Sequence, residues 1–178
     1  QTAGLSDIHS DELLSTILRQ ITNMTDRPDR KLNVQTEFAD IHMTPDQAVP
    51  LALLVAEAVT NAIKYAVAPP GETAQLHVSL TRQSEKRAEL CLRNTVTGVE
   101  PPAPGEDLEE GNPEDRTGLG TQLITAFALQ LGGTAEQSHA QGWHELRVGF
   151  DVRPLVDAEE RRASANEPSG ATDGEPGG

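Results

Sequence analysis

Cysteine is nearly absent from this sequence. Cys91 stands alone among 178 residues, so no disulfide framework exists and a reducing cytosol is the expected surrounding. Positive charge is also scarce. Lys and Arg number 14 against 28 Asp and Glu, and the formal net charge of -14 argues against electrostatic binding of nucleic acid and against adhesion to an anionic membrane. Partners are then expected to be small molecules or other proteins. No apolar run near the ~18 residues of a membrane span is read from the sequence, and no signal peptide. The missing initiator Met suggests a piece of a larger protein, whose membrane attachment stays open. No internal repeat, no zinc-type spacing and no nucleophile–base pair is legible. With 36% apolar content, the length suits one domain of about 100–150 residues plus tails.

What is present is organised around Leu51 to Ala66, LALLVAEAVTNAIKYA. At 100° per residue Leu51, Val55, Ala58, Val59, Ala62 and Ala66 share one apolar face, while Glu57, Asn61 and Lys64 form a polar column at i, i+4, i+7. A purely structural helix has no need of that column. Thr44-Pro45-Asp46-Gln47 signals the helix start, with Thr44 as cap, Pro45 at the first helical position, Gln47 reaching back as a capping box and Pro50 bending the first turns.

Upstream, Leu13, Leu14, Ile17, Leu18 and Ile21 recur at three and four after Ser10, a candidate cap, which predicts an amphipathic helix ended by Arg27-Pro28-Asp29-Arg30. Leu32, Val34, Thr36 and Phe38 then alternate as a strand with one buried face, and Asp40 to Met43 links it to the long helix. Leu76, Val78 and Leu80 predict a second strand. Ala88, Leu90, Leu92 and Asn94 predict its antiparallel hairpin partner, with Asn94 at the strand end on the core side. Val99 to Arg116 is a long loop of prolines and carboxylates without a period. A helix from Gly120 to Leu131 follows, with Leu123, Phe127 and Leu131 inward and Gly132 as a left-handed cap. Thr134 to Ser138 and Trp143 to Phe150 form a last hairpin around Gly142, and from Pro154 onward the polar composition predicts disorder.

The spacing E-x-x-x-N-A-x-K-Y from Glu57 to Tyr65 resembles the asparagine box of the Bergerat-fold ATPases. Thr117-Gly118-Leu119-Gly120-Thr121-Gln122-Leu123-Ile124 resembles their glycine box, with Gln130-Leu131-Gly132-Gly133 at the helix end. Each box alone is a weak signal; the two in order are a strong one. The wording around both is most similar to HWE-type and related bacterial sensor histidine kinases, over roughly Leu32 to Phe150. The resemblance implies an α+β fold, a Bergerat-type two-layer sandwich in which one mixed, mostly antiparallel sheet is covered by helices on one face.

It also implies roles. Asn61 would be the Mg²⁺ ligand, its oxygen a hard donor suited to that ion. Glu57 would orient water or assist proton removal from the attacking histidine, and Lys64 would meet phosphate as a flexible point charge. Tyr65 stands where many relatives carry His, so packing is expected of it more than phosphate contact. The backbone of Gly118, Leu119, Gly120 and Thr121 would approach phosphate oxygens at a helix start. Where the family has D-x-G-x-G, this chain has Asn94-Thr95-Val96-Thr97-Gly98; only Gly98 matches, though the Asn94 carbonyl can still accept from adenine. The loop from Val99 to Arg116 would be the ATP lid.

None of His9, His42, His77, His139 and His144 lies in the H-R-x-K-N surroundings of an HWE-type acceptor, so the acceptor is expected upstream of Gln1. The domains read as 1–30, an N-terminal helix and link from an upstream dimerisation and phosphoacceptor domain; 31–153, the ATP-binding catalytic domain; and 154–178, a disordered tail. The implied function is a cytoplasmic histidine protein kinase that uses ATP and Mg²⁺. It would be homodimeric through its upstream domain and would serve a response regulator, with no nucleic acid and no direct membrane contact. Two alternatives remain: a degenerate ATPase-like module acting as an interaction surface in a phosphorelay, and a serine kinase of the anti-sigma-factor type.

Overall fold

Period-2 and period-3.6 patterns end up on opposite sides of one apolar layer. The computed structural model describes residues 7–25, 31–96 and 119–153. Its elements are β1 (Ile8–His9), α1 (Ser10–Thr25), β2 (Leu32–Phe38), β3 (His42–Met43), α2 (Pro45–Tyr65), β4 (Ala74–Ser84), β5 (Arg87–Thr95), α3 (Leu119–Gln130), β6 (Thr134–Ala140) and β7 (Trp143–Asp151). Five strands form one sheet in the order β2-β4-β5-β7-β6. The β2–β4 pair is parallel and the other three are antiparallel, so the sheet is mixed as expected.

Alternation decides which face of the sheet is dry. Leu76, Val78 and Leu80 of β4, Ala88, Leu90 and Leu92 of β5 and Leu146, Val148 and Phe150 of β7 are all buried. They join Leu14 and Leu18 of α1, Leu51, Leu54, Val55 and Val59 of α2 and Ile124 and Ala128 of α3 in one core. The alternate positions carry a polar ladder on the other face. Arg147 Nη1 donates to Glu89 at 2.8 Å, Arg147 Nε donates to Glu145, and the Arg93 guanidinium stacks 4.8 Å from the Trp143 ring.

Why α2 runs through Pro50 is a question of magnitudes. A proline inside a helix costs about 3 kcal/mol. Leu51, Leu54, Val55 and Val59 are fully buried, and each contributes roughly 1.5–3 kcal/mol. Burial wins, and the helix continues for 21 residues. By length and composition alone α2 is apolar enough to cross a membrane, which corrects the expectation of no such run; nearly half of it is buried inside the fold.

Three local expectations fail, two of them because a distant partner competes for the side chain. Ser10 opens α1 but caps nothing: its Oγ donates to the Ala39 carbonyl at 2.8 Å and accepts from Ile41 N–H at 2.8 Å, which ties the start of α1 to the β3 approach. Thr44 makes no side-chain cap. Gln47 does not reach back to it but donates to the Asp151 carbonyl at the far end of β7. The link Asp40 to Met43 also contains β3, paired antiparallel with β1. Along β2, Thr36 is exposed and only Leu32, Val34 and Phe38 are half-buried, as befits an edge strand. The inner face of α3 is turned by one residue from expectation, with Ile124, Ala128 and Leu131 buried and Leu123 and Phe127 only partly so.

The α3 terminus matches the sequence signal. Gly132 is left-handed (φ 84°), and the N–H groups of Gly133 and Gly132 donate to the Ala128 and Leu129 carbonyls at 2.9 and 3.0 Å, the paired bonds of a Schellman ending.

Candidate functional site

α2 and α3 lie side by side over the end of the sheet where β5 stops, and a cleft of about 210 Å³ opens between them. Ala58, Ala62, Leu92, Val96, Ile124 and Leu146 form its apolar lining. Enclosing a whole drug-sized ligand takes roughly 300–1,000 Å³, so this space suits a flat heterocycle with the rest of its molecule outside. Asn94 is the polar group at its floor. It is only 4% exposed, and its Nδ2 makes a long 3.4 Å hydrogen bond to the Thr95 carbonyl. The strand end that carries it is stitched from three sides. Val67 N–H donates to the Thr95 carbonyl (3.0 Å), Gln75 N–H to Thr95 Oγ1 (2.9 Å) and Val96 N–H to the Gly142 carbonyl (2.9 Å).

The two glycine-and-asparagine signals meet at the mouth of this cleft. A methyl group placed on Gly120, in the first turn of α3, would lie 2.7 Å from Asn61 Nδ2, 3.3 Å from Asn61 Oδ1 and 3.1 Å from Glu57 Oε1. Only a glycine lets the helix start approach that closely. Asn61 also lines the cleft, as does Thr121. Two hard oxygen donors, Asn61 Oδ1 and Glu57 Oε1, thus border one small space at a helix N-terminus, and this donor set fits Mg²⁺.

Other expected residues are placed differently. Lys64 is exposed and is not part of the cleft lining. Tyr65, at the end of α2, is 53% exposed and lines the cleft. Leu119 is the first residue of α3. Gly98 and Gly118, the lid from Val99 to Arg116, the 27–30 stop and the tail from 154 lie outside the described residues.

Comparison with solved structures decides the fold. The sensor histidine kinase MprB of mycobacteria superposes with TM-score 0.62 at 18% identity, covering 84% of this chain and 99% of that one. This chain has the histidine kinase catalytic-domain fold. The nucleotide-free catalytic domain of the histidine kinase ThkA gives TM-score 0.60 at 16% identity, with 84% and 96% covered. The histidine kinase domain of the blue-light activated EL346 of Erythrobacter litoralis gives 0.60 at 16%, with 88% of this chain and 66% of that chain covered. No protein-family model matches the chain. No curated protein matches it either.

Within the kinase-like fold, one wall of the cleft was missed by sequence reasoning. Gln137 and His139 of β6 and His144 of β7 line it. The strand register sets His144 opposite both Asn94 and His139, and the two imidazoles stand 4.4 Å apart. Period-2 alternation puts Leu146, His144 and Asn94 on the core side, and that was the available signal. His144 Nε2 lies 3.0 Å from Gln137 Oε1, and as that oxygen only accepts, Nε2 carries the proton.

Burial lowers the His144 pKa, and the neighbouring His139 lowers it further. The folded value then lies below the ordinary 6.5 or so, so its contribution to stability is full above that value and is lost as pH falls through the folded one. His9 is shifted the opposite way, chiefly by its hydrogen bond to Asp40, and its contribution fades as pH rises. The two opposed terms partly cancel in a melting curve of the parent chain. His144→Gln isolates one of them: relative to the parent, the variant should gain melting temperature between pH 7 and pH 5. An unchanged difference across that range would mean that His144 titrates as it does unfolded.

Proposed function

We propose that this chain is the catalytic domain of a cytoplasmic sensor histidine kinase, HWE-type or a close relative. It would bind Mg-ATP in the α2–α3 cleft and pass the γ-phosphoryl group to a histidine on a separate upstream dimerisation domain, from which a response regulator takes it. The observation that carries the reading is the contact of Gly120 with Asn61 and Glu57 at the mouth of the cleft that Asn94 floors. Asn94 offers its carbonyl to the base; the apolar lining of Ala58, Ala62, Leu92 and Ile124 excludes water from it. Asn61 Oδ1 and Glu57 Oε1 would hold Mg²⁺ between them, and the first turn of α3 would present N–H groups to phosphate. Bound there, the ion neutralises charge on the phosphates. Catalysis by such a site is positioning more than covalent chemistry.

Two observations favour a rival, a module that has lost nucleotide and serves only as a surface: Lys64 lies outside the cleft lining, and position 94 holds an amide instead of an acid. Calorimetric titration with Mg-ATP separates the two. Saturable binding is expected, and its absence up to millimolar ATP would leave the rival. With labelled ATP, the chain alone should form no phosphohistidine, and adding its upstream dimerisation helices should restore labelling. Label on His9 would overturn the domain assignment.

A further inference from the structure

A second concentration of ligating side chains lies away from the cleft, where β1 and the first turn of α1 meet β3. The antiparallel β1–β3 pair sets His9 directly across from His42, with ring centroids 4.1 Å apart. Asp40 sits between them. His9 Nδ1 is 3.0 Å from Asp40 Oδ1 and 3.2 Å from Oδ2, and His42 Nε2 is 3.5 Å from Asp40 Oδ2. Asp7 Oδ1 lies 3.0 Å from His42 Nδ1 on the outer side. From the first turn of α1 comes Asp11, whose Oδ1 is buried and has no hydrogen-bond partner among the described residues. The ligand atoms of Asp7, His9 and His42 lie within 4.8 Å of one another, as do those of His9, Asp11 and Asp40.

We propose that this joint is a binding site for a divalent transition-metal ion of the zinc class, centred on His9 and His42 with Asp40 between them and Asp7 and Asp11 flanking. Two imidazoles with carboxylates are the ligand set of zinc and its neighbours, whereas Mg²⁺ and Ca²⁺ prefer oxygen throughout. Ion pairs alone satisfy Asp7 and Asp40 whenever the histidines are protonated. They leave Asp11 Oδ1 buried and unmatched, and a buried unpaired carboxylate oxygen is costly. A cation supplies the missing partner.

The position gives the ion a consequence. Ser10 already ties α1 to the Ala39–Ile41 backbone, and the metal would add a second tie between the same segments. Bound metal would hold α1 against the domain, and its release would loosen that joint. Metal competes with protons for imidazole nitrogen, so affinity should fall as the pH is lowered.

The test is calorimetric titration of the metal-free full chain with Zn²⁺ alone, without nucleotide. One saturable site is expected, with a dissociation constant of about 10 µM or tighter, and a melting temperature that rises with Zn²⁺. His42→Ala should weaken binding at least tenfold and remove the Zn²⁺-dependent rise. His42 is half exposed, so its apo melting temperature should stay close to that of the parent; Asp40→Asn serves as the second variant. The double variant His139→Gln/His144→Gln should bind Zn²⁺ as the parent does, and Mg-ATP binding should be the same in His42→Ala. No saturable binding up to 100 µM or so overturns the proposal, as does binding that survives His9→Ala and His42→Ala or is lost in the cleft variant. Because the readout is nucleotide-free, it stands or falls apart from the kinase reading.

Discussion

Asn61→Ala is expected to lower Mg-dependent ATP affinity on the order of 100-fold while leaving the apo fold intact. The amide oxygen is one of two donors facing the Gly120 backbone, and interactions of a polar group with charge contribute about 1.5–3 kcal/mol, or roughly 10- to 150-fold in a dissociation constant. Stability should barely move. Asn61 is not part of the buried core of α2, and truncation opens no cavity there, so the change in folding free energy should stay within about 0.5 kcal/mol. Two measurements decide it together: calorimetry with Mg-ATP, and a thermal melt without ligand. A large apo loss with intact binding would make Asn61 a structural residue and remove the metal from this place.

Gly133→Ala should have the largest effect on stability of any single methyl added to the fold's described glycines. Its Cβ would lie 2.2 Å from the Gly149 carbonyl oxygen, and that neighbour is backbone of β7, hydrogen-bonded in the sheet, not a side chain that can swing aside. Either the α3–β6 turn or the β6–β7 ladder must shift. Overpacking of this kind costs about 3 kcal/mol, which at roughly 4 °C per kcal/mol lowers the melting temperature by on the order of 12 °C. Gly132→Ala is the useful contrast. It has open space around it but a φ of 84°, so only backbone strain of about 1–2 kcal/mol applies. If the two variants melt together, the close approach at Gly133 is not fixed in solution.

Legibility in the sequence followed the range of the interactions. The core face of α2 and the triplets Leu76-Val78-Leu80 and Leu146-Val148-Phe150 were visible because each is set by one element's own period. So was the Schellman ending at Gly132, where two glycines and the preceding helix suffice. Ser10, Thr44 and Gln47 misled because their residue types suit helix caps, while the bonds that Ser10 and Gln47 make reach 29 to 104 residues along the chain. For α3 the period was right and the phase wrong by one residue: packing on α2 selected Ile124 and Ala128 over Leu123 and Phe127. Of the candidate site, the meeting of Asn61 with Gly120 was implied by the two boxes in order. The Gln137-His139-His144 wall was hidden by lying on a mostly exposed edge hairpin, and the His9-Asp40-His42 cluster because His9 lies 31 residues before Asp40.

The strand order has a consequence for how the cleft fluctuates. β5 lies in the middle of the sheet with a partner on each side, so its amides open to solvent only when the whole sheet does. β6 is an edge, paired on one side only and exposed at six of its seven positions, and its opening is a local event of lower free energy. The cleft has a foot on each: Asn94 lies near the end of β5, and Gln137 and His139 belong to β6. A molecule held there therefore touches one wall that is permanent and one that breathes. Since it binds only the closed wall fully, the fraying equilibrium of β6 and the affinity of the cleft are linked, and a change that makes the edge fray more weakens the ligand through the loss of that closed population.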